Sequence, residues 1–233
     1  LYGALNYLNS VEKNIVTVED PVEYELAGIN QVQVNVRADL TFANSLRSIL
    51  RQDPDIIMIG EIRDAETAEI AIQSALTGHL VLSTLHTNDA AGAVTRLIEM
   101  GIPPFLIASA VGLVVAQRLL RLLCPNCKAT FTPPEELQEA LGLAYDPARL
   151  FYKPVGCDKC EGSGYKGRIA IYETMVISQA IEELILKKAS SHDIFRQAQK
   201  EDLTSLRQSS MAKVISGLTS VDEAFRVTME LKE

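Results

Sequence analysis

The sequence lacks several features that would mark out a simple class of protein. Its longest apolar run covers only residues 105–116, whereas a membrane-spanning helix needs about 20 such residues. It has no excess of basic residues, and its net charge of −8 argues against non-specific binding to nucleic acid. It also has no internal repeat and no low-complexity segment. A chain of 233 residues with this composition is expected to be globular and to hold more than one structural unit.

Two further absences concern the N-terminus and the phosphate loop. No signal peptide is visible and the chain starts at Leu1, so we expect a cytosolic fragment whose natural N-terminus is missing. The phosphate-binding motif G-x-x-x-x-G-K-[S/T] occurs nowhere in the sequence. From the residues alone, a nucleotide site is therefore incomplete.

What is present is an alternation of strand and helix patterns, which predicts an α/β fold with a mostly parallel sheet. The expected strands cover residues 14–18, 31–36, 56–59, about 80–85 and 168–176. The expected helix N-caps are Thr41, Asp64, Ser178, Ser190 or Ser191, Thr204 and Ser220. We predict three parts, namely an α/β core over 1–122, a cysteine module over 123–168 and a C-terminal strand with short helices over 169–233.

Three of these apolar runs end in polar residues. The first ends at Glu19 and Asp20, the second reaches Glu61 just after Gly60, and the third is followed by Thr84 and His86. The carboxyl ends of neighbouring parallel strands lie at one edge of a sheet, where open α/β folds bind ligands. If the three strands are neighbours, their terminal side chains converge on one site.

Two carboxylates beside a hydroxyl suit a hydrated Mg²⁺ and an attacking water, because Mg²⁺ prefers oxygen ligands and a carboxylate can orient or deprotonate the nucleophile. Glu19 and Glu61 are the candidates. Taken one at a time, each carboxylate is more often part of a salt bridge. The recurrence of polar residues at three strand ends favours a site.

Four arginines are candidates for contacts to phosphate. Arg47 and Arg51 are four residues apart on one predicted helix, where like charges repel each other mildly. Either a phosphate or a local carboxylate such as Asp55 would relieve that repulsion, and the salt bridge is the favoured interpretation. Arg37 and Arg63 are similarly ambiguous.

Histidines flank the third strand at both ends. His79 and His86 are seven positions apart, so they lie too far from each other to bind one metal ion, and a structural role is the default for either. His86 follows Thr84 at the expected ligand edge and is the better candidate for a phosphate contact.

The cysteines form two C-x-x-C pairs with 29 residues between them. Each such turn presents two thiolates to one tetrahedral ion, and two turns complete a four-cysteine site. Disulfides are the alternative, but a cytosolic chain disfavours them. We predict a structural Zn²⁺ held by four side chains, which leave no open position for catalysis: Cys124, Cys127, Cys157 and Cys160.

Three segments carry a resemblance to a known family. Residues 15–24 (IVTVEDPVEY), 50–64 (LRQDPDIIMIGEIRD) and 77–88 (TGHLVLSTLHTN) resemble the aspartate box, the Walker B motif and the histidine box of secretion ATPases. The specific similarity is to the assembly ATPases of type II secretion systems and type IV pili. It extends through the cysteine region and covers essentially the whole chain.

The resemblance implies a RecA-like ATPase core and a homohexamer that works at the cytoplasmic face of the inner membrane. The implied partners are ATP with Mg²⁺ and a membrane platform or cytoplasmic adaptor protein. By analogy, Glu61 holds Mg²⁺ through water, Glu19 is the catalytic carboxylate and His86 acts with them. The implied phosphate contacts come from six further residues: Arg37, Arg47, Arg51, Arg63, His79 and Thr84.

The resemblance also bears on the missing loop and on the branch of the family. The family's phosphate loop lies just upstream of the first helix, so its absence suggests truncation, and this chain alone is expected to bind ATP poorly. The four cysteines are typical of assembly and secretion motors and disfavour a retraction motor. Two other hypotheses stay open: a zinc-stabilised interaction module without nucleotide hydrolysis, and a zinc-ribbon nucleic-acid binder, which the net charge disfavours.

Overall fold

A computed structural model describes residues 1–141 and 143–229. Its strands are β1 Ile15–Glu19, β2 Asn30–Gln33, β3 Ile56–Ile59, β4 Leu80–Ser83, β5 Leu113–Leu123, β6 Ala129–Phe131, β7 Phe151–Lys153 and β8 Tyr165–Val176. Its α-helices are α1 Tyr2–Leu8, α2 Phe42–Ile49, α3 Ala65–Leu76, α4 Ala90–Glu99, α5 Pro104–Ala110, α6 Glu135–Ala140, α7 Gln179–Leu186, α8 Ser191–Lys200, α9 Leu206–Ile215 and α10 Val221–Met229. No helix in this part of the chain combines the length and the apolarity needed to cross a bilayer.

The chain divides into two compact units that do not follow the three predicted parts. The first unit comprises residues 1–87, 91–114 and 176–197, and the second comprises 88–90, 115–175 and the chain from 198 onward. Two pieces of the predicted parts lie outside the described residues, namely Gly142 of the cysteine module and residues 230–233 of the C-terminal part. The boundaries 122/123 and 168/169 stay a prediction.

The first unit is built on a four-stranded sheet with the order β2-β1-β3-β4, in which every neighbouring pair is parallel. This confirms the predicted α/β class and the expectation that the three polar-ended strands are neighbours. All residues of β1 and β3 are buried, as expected for central strands covered on both faces. Alternate residues of these strands point to opposite faces of the sheet. Ile15, Ile56 and Met58 pack with Leu5 of α1, while α2 contacts β1 and α3.

Most of the predicted helix starts are confirmed by side-chain caps. The Thr41 hydroxyl accepts from Asn44 N–H at 3.2 Å, and the Asp64 carboxylate accepts from Thr67 N–H at 2.8 Å. Ser178, Ser190 and Ser220 likewise accept from N–H groups in the first turns of their helices. The prediction of Thr204 was wrong, because α9 is capped by Ser205, whose hydroxyl accepts from Gln208 N–H. The Gln208 side chain in turn accepts from Ser205 N–H, and this reciprocal pair needs a glutamine or glutamate three residues after the cap, which Ser205 has and Thr204 lacks.

The second unit contains two two-stranded sheets, β5 with β8 and β6 with β7. One of its apolar clusters is centred on Phe151, Val214 and Ala224, and another joins Leu120 and Ile171. Strand β8 begins three residues earlier than predicted, and α5 and β5 had not been predicted. The apolar run 105–116 is in fact divided between that helix and that strand. Pro104 suits the first turn of a helix, where its missing N–H is not needed, while β5 alternates between exposed and less exposed residues.

Candidate functional site

The carboxyl ends of β1 and β3 lie next to each other. Val18 is paired with Ile59, and Gly60 N–H donates to the Val18 carbonyl at 2.8 Å. A Cβ atom on Gly60 would lie 3.3 Å from both Glu19 Cα and the Val18 carbonyl oxygen, which is closer than most real Cβ contacts. The glycine therefore allows the strand carrying Glu19 and the segment carrying Glu61 to lie side by side.

Glu61 is at the centre of a charged cluster on this edge. Its carboxylate accepts from the Arg63 guanidinium and lies 3.0 Å from His86 Nε2. Arg63 also reaches Asp20 at 3.7 Å. The hydrogen bond from Arg63 lowers the pKa of Glu61 below its usual value, and His86 adds to this while partial burial opposes it. Because its pKa is lowered, Glu61 is an ionised acid at the sheet edge although its side chain is only 13% exposed, and ionised carboxylates are ligands that hard cations prefer.

Thr84 holds the backbone of this edge in place. Its hydroxyl donates to the Gly60 carbonyl at 2.7 Å, and its own carbonyl accepts from Ile62 N–H at 3.0 Å. The end of β4 is thereby fixed against the turn that carries Glu61. Thr84 lies at the predicted edge, where its hydroxyl bonds to backbone.

Glu19 has a different environment from Glu61. Its side chain is buried, with 4% of the residue exposed, and its oxygens accept from three uncharged donors. Thr17 Oγ1 lies at 2.5 Å and Gln31 Nε2 at 3.1 Å from Oε1, while the Tyr2 hydroxyl donates to Oε2. No ion pair of Glu19 occurs among the described residues. The salt bridge that was its alternative is therefore not what holds it.

The arginines predicted to contact phosphate are not gathered together. Arg63 is in the charged cluster, and Arg37 is exposed in a short 3₁₀ turn after β2. Arg47 forms the favoured alternative, a salt bridge to Glu66 at 2.5 Å. Arg51 is exposed just after α2, beside residues that bond to Asn14 before β1. It therefore lies toward the amino ends of the strands, the opposite edge from Glu61.

His79 and Asp55 likewise belong to the amino-terminal edge. His79 Nδ1 lies 2.9 Å from the Ser74 carbonyl and 3.2 Å from Thr77 Oγ1, so it packs against the end of α3 in the structural role that was its default. Asp55 accepts from Asn14 N–H at 2.7 Å, so its carboxylate has a backbone partner just before the start of β1. Within one chain, Arg51 and His79 are separated from the Glu61 cluster by the length of a strand.

The four cysteines of the second unit are brought together by their two turns. All are free thiols, and their sulfur atoms lie within 4.8 Å of one another. Three of the S···S separations are 3.7, 3.8 and 4.0 Å. A tetrahedral zinc ion with Zn–S bonds of about 2.3 Å requires S···S separations of about 3.8 Å. The cluster therefore has the chemistry and spacing of a metal site.

Backbone amides point at these sulfur atoms. Gly164 N–H and Cys157 N–H each lie 3.2 Å from Cys160 Sγ, and Gly156 N–H lies 3.4 Å from Cys127 Sγ. Burial acts to raise the pKa of Cys160, but these amides outweigh it and lower the pKa to about 6. Burial dominates at Cys127 and raises its pKa to about 11. The donors favour thiolate at the sulfur that accepts most of them, as a metal ligand requires.

Comparison with known proteins identifies the family. The model of the family described as "Type II/IV secretion system protein" matches residues 1–226. This chain belongs to that family. The resemblance seen in the three sequence segments is thereby confirmed.

Members of the family are close relatives of the chain. The type II secretion system ATPase E of Vibrio cholerae is 50% identical over 230 residues, covering 99% of this chain and 46% of the relative. The type IV pilus assembly ATPase PilB of Pseudomonas aeruginosa is 50% identical over 232 residues, covering 99% and 41%. The chain thus spans about half the length of the curated relatives it matches.

A solved structure supports the fold. The pilus retraction motor PilT with bound ADP superposes with a TM-score of 0.70 at 26% identity, covering 97% of this chain and 56% of that one. The parallel sheet and its flanking helices are therefore those of an ATPase fold.

Sequence reasoning missed the residues that surround Glu19. Tyr2 and Gln31 lie 17 and 12 residues from it. Tyr2 was visible only as part of a short helical stretch, and Gln31 only as a polar position of a half-exposed strand. No local pattern links either residue to a carboxylate at the end of another strand.

Proposed function

We propose that this chain is part of a motor ATPase that couples ATP hydrolysis to type IV pilus assembly or type II protein secretion. The observation that carries the proposal is the arrangement at the sheet edge, where Glu61, Asp20, Arg63 and His86 form one charged cluster beside the buried Glu19. Parallel α/β sheets bind ligands at this edge. Relatives at about half identity that are named as ATPases of both systems support the same conclusion.

Within this proposal the two carboxylates have separate tasks. Glu61 is the residue that would hold Mg²⁺ through water, because it is ionised and lies at the strand end. Mg²⁺, when bound, offsets charge on the phosphate oxygens. Glu19 orients the attacking water and accepts its proton. The water oxygen bonds to the terminal phosphorus as the bridging P–O bond breaks, and the electron pair of the broken bond leaves on ADP.

The remaining residues are proposed to balance charge at the site or to make contacts between subunits. Arg63 balances the charge of Glu61 before nucleotide arrives and His86 bonds to the same carboxylate. One of these two contacts must give way for a hydrated cation. Arg47, Arg51 and His79 would reach phosphate only from a neighbouring subunit or after rearrangement, since Arg47 and His79 bond to other groups and Arg51 lies toward the opposite edge. Arg37 is exposed beyond the carboxyl end of β2. We propose that the complete protein works as a homohexamer, with the arginines as the first candidates for contacts between subunits.

The cysteine cluster is proposed to hold one structural Zn²⁺. Its four sulfur atoms supply a full tetrahedral shell, so no position remains for a reacting water. The cluster favours an assembly or secretion motor over a retraction motor. The proposed partners are an inner-membrane platform or a cytoplasmic adaptor protein, and the proposed location is the cytoplasmic face of that membrane. Nucleic acid is not among the proposed partners.

A second candidate is a zinc-stabilised interaction module that does not hydrolyse nucleotide. One observation favours it, the absence of G-x-x-x-x-G-K-[S/T] from the printed sequence. Assay of Mg-ATP hydrolysis by the complete protein separates the two candidates, because only the motor turns over ATP.

The experiment that tests the proposed roles replaces Glu61 with Gln in the complete protein. The amide keeps the shape but loses the charge, so Mg-ATP should still bind while the hydrolysis rate falls about 100-fold or more. Glu19→Gln should act similarly, because an amide is not a base. Glu69→Gln is the matched control, since Glu69 is exposed on α3 and bonds to Gln73 one turn along the same helix, so the rate should stay unchanged. Near-normal turnover in Glu61→Gln or in Glu19→Gln removes that residue from its role.

A further inference from the structure

The contacts of Glu19 form a closed network whose orientation is fixed by backbone groups. The Gln31 side-chain oxygen accepts from Leu26 N–H at 2.7 Å, so its amide nitrogen must face the other way. That nitrogen lies 3.1 Å from Glu19 Oε1 and 3.3 Å from the Tyr2 oxygen. The side chain of Gln31 therefore presents a donor to the carboxylate in one orientation only.

The Tyr2 hydroxyl is fixed in the same way. Its oxygen accepts from Glu23 N–H at 3.2 Å and from Gln31 Nε2 at 3.3 Å. Both neighbours are donors, so the phenolic proton is left to point at Glu19 Oε2. The ring of Tyr2 also packs edge-on against Tyr24, with the ring centroids 4.6 Å apart.

The two oxygens of Glu19 consequently differ. Oε1 receives two donors, from Thr17 and Gln31, whereas Oε2 receives one, from Tyr2. A carboxylate oxygen has two lone pairs in its plane. Among the contacts that the structure describes, Oε2 alone retains an accepting position.

We propose that Tyr2 and Gln31 are positioning residues for Glu19, holding its carboxylate so that Oε2 is the oxygen that receives the proton of the attacking water. This inference rests on the proposed function, in which Glu19 is the catalytic carboxylate. Tyr2 lies on α1 and Gln31 on β2, so two elements that flank β1 fix one side chain at its end. Both residues act through Glu19, since Tyr2 donates to its Oε2 and Gln31 donates to its Oε1.

Removal of either donor should change catalysis more than binding. In the complete protein, Tyr2→Phe keeps the ring and Gln31→Met keeps most of the length, and each loses its bond to Glu19. We expect kcat for ATP hydrolysis to fall about 10-fold in each variant, with KM for ATP changed less than about twofold. Tyr7→Phe is the control for the first, because Tyr7 lies on the same helix and is 89% exposed. Gln33→Met is the control for the second, at an exposed position of the same strand.

The split between kcat and KM distinguishes positioning from a general structural role. A displaced Glu19 carboxylate slows proton transfer from the attacking water but leaves the nucleotide contacts intact, so kcat should fall while KM holds. Burial, followed by its bond to Glu19, raises the pKa of Tyr2, so Tyr2 stays protonated across the neutral range and remains a donor to Glu19.

A double variant separates this inference from the proposed function. Tyr2→Phe added to Glu19→Gln should lower kcat no further, because the two residues act as one unit. If Glu19→Gln is itself fully active, the proposed role of Glu19 falls and the inference falls with it. If Glu19→Gln is inactive while Tyr2→Phe and Gln31→Met keep the unaltered kcat, the inference alone is overturned. Mg-ATP titration calorimetry and thermal unfolding of each variant show whether the fold and the binding survive.

Discussion

In the first unit the two central strands, β1 and β3, are buried along their whole length, and their side chains are apolar except for Thr17 and Glu19 in β1. The second unit has short sheets and buries polar groups at its centre. Glu223 has no exposed side-chain surface between Arg121 and Arg226, and two of the four clustered cysteines are buried. Glu173, with 2% of its surface exposed, accepts from Ala90 N–H and Leu206 N–H.

The difference concerns how each unit distributes its stability. A sheet core is the sum of many small apolar contacts, so no single one dominates. A buried charge or an unfilled metal site is different, because removing one partner leaves another group unsatisfied in a place that water cannot reach. We therefore expect single substitutions to affect the second unit more than the first.

The largest expected effect is that of the cysteine cluster. Cys157→Ser should reduce bound zinc from about one ion per chain to none, because three thiolates no longer complete the tetrahedral shell. The segment should then lose the stabilisation that zinc supplies, which is on the order of 10 kcal/mol in small metal modules. Residues 124–167 should then exchange backbone hydrogen rapidly while β1 and β3 keep their protection. Elemental analysis and hydrogen exchange measure the two outcomes. Asp158→Ser, at the adjacent exposed position, should leave the metal in place. Disulfides in freshly prepared, unoxidised protein would show that the cluster is not a metal site.

The next effect is the loss of Glu223. Its carboxylate accepts from both Arg121 and Arg226 and from Arg121 N–H. Glu223→Ala should lower the free energy of unfolding of the second unit by about 2–3 kcal/mol, because charged hydrogen bonds are lost and a backbone donor is left without its partner. Urea unfolding followed by hydrogen exchange provides the measurement. Asp222→Ala, at the exposed neighbouring position, should change it by less than about 0.5 kcal/mol. Equal losses in the two variants would contradict the role of the ion cluster.

The same carboxylate predicts a dependence on acid. Burial acts to raise the pKa of Glu223, but the two arginines outweigh it and lower the pKa from 4.5 to about 2. Its stabilisation is thus fully present above pH 4.5 and is lost as the pH falls toward 2, at roughly 1 kcal/mol per pH unit. The difference in unfolding free energy between the unaltered protein and Glu223→Gln should shrink over that window. Because both proteins carry the same cysteines, loss of metal in acid cancels from the difference. A constant difference from pH 6 to pH 3 would contradict the assigned pKa.

The smallest effect is expected in the first unit. Asp64 accepts from Thr67 N–H and from its hydroxyl at the start of α3. Asp64→Ala should lower the unfolding free energy by about 1 kcal/mol, the usual value of an N-cap, with no change in bound metal. Asp64→Asn keeps a capping oxygen and should lose much less. An Asp64→Ala effect larger than that of Glu223→Ala would reverse the comparison between the units.

Local patterns were sufficient to predict the parts of the structure that depend on neighbours in sequence. The apolar run 56–59 gave β3, Thr41 and Asp64 gave two helix starts, and the paired C-x-x-C turns predicted the cysteine cluster. For the strand and the helix starts the physical cause, burial of a short run or an accepting side chain, acts within a few residues. For the cysteines it is the need of one metal ion for four ligands, which joins two turns 33 positions apart. The gathering of Glu61 and His86 was also predicted, because parallel strands must end at a common edge.

The remaining features depend on contacts between distant residues. The Glu19 network needs Tyr2 and Gln31, which reach it from a helix and from another strand, and Glu223 meets Arg121 across 102 residues of sequence. Single positions such as Arg51 and His79 were placed at the site by analogy, but the chain direction carries them to the other edge of the sheet. Whether they act from a neighbouring molecule stays a prediction.

Gly60 has a consequence for how the sheet edge can vary. A glycine loses more conformational freedom on folding than any other residue, and its backbone here does not require positive φ. Alanine would therefore save entropy at this position, yet its methyl group would meet the backbone of the next strand at 3.3 Å. A Cβ atom at position 60 would therefore require the strand of Glu19 and the segment of Glu61 to move apart by a few tenths of an ångström. The first effect of a larger residue here would be on the distance between the two carboxylates, with neither carboxylate itself altered.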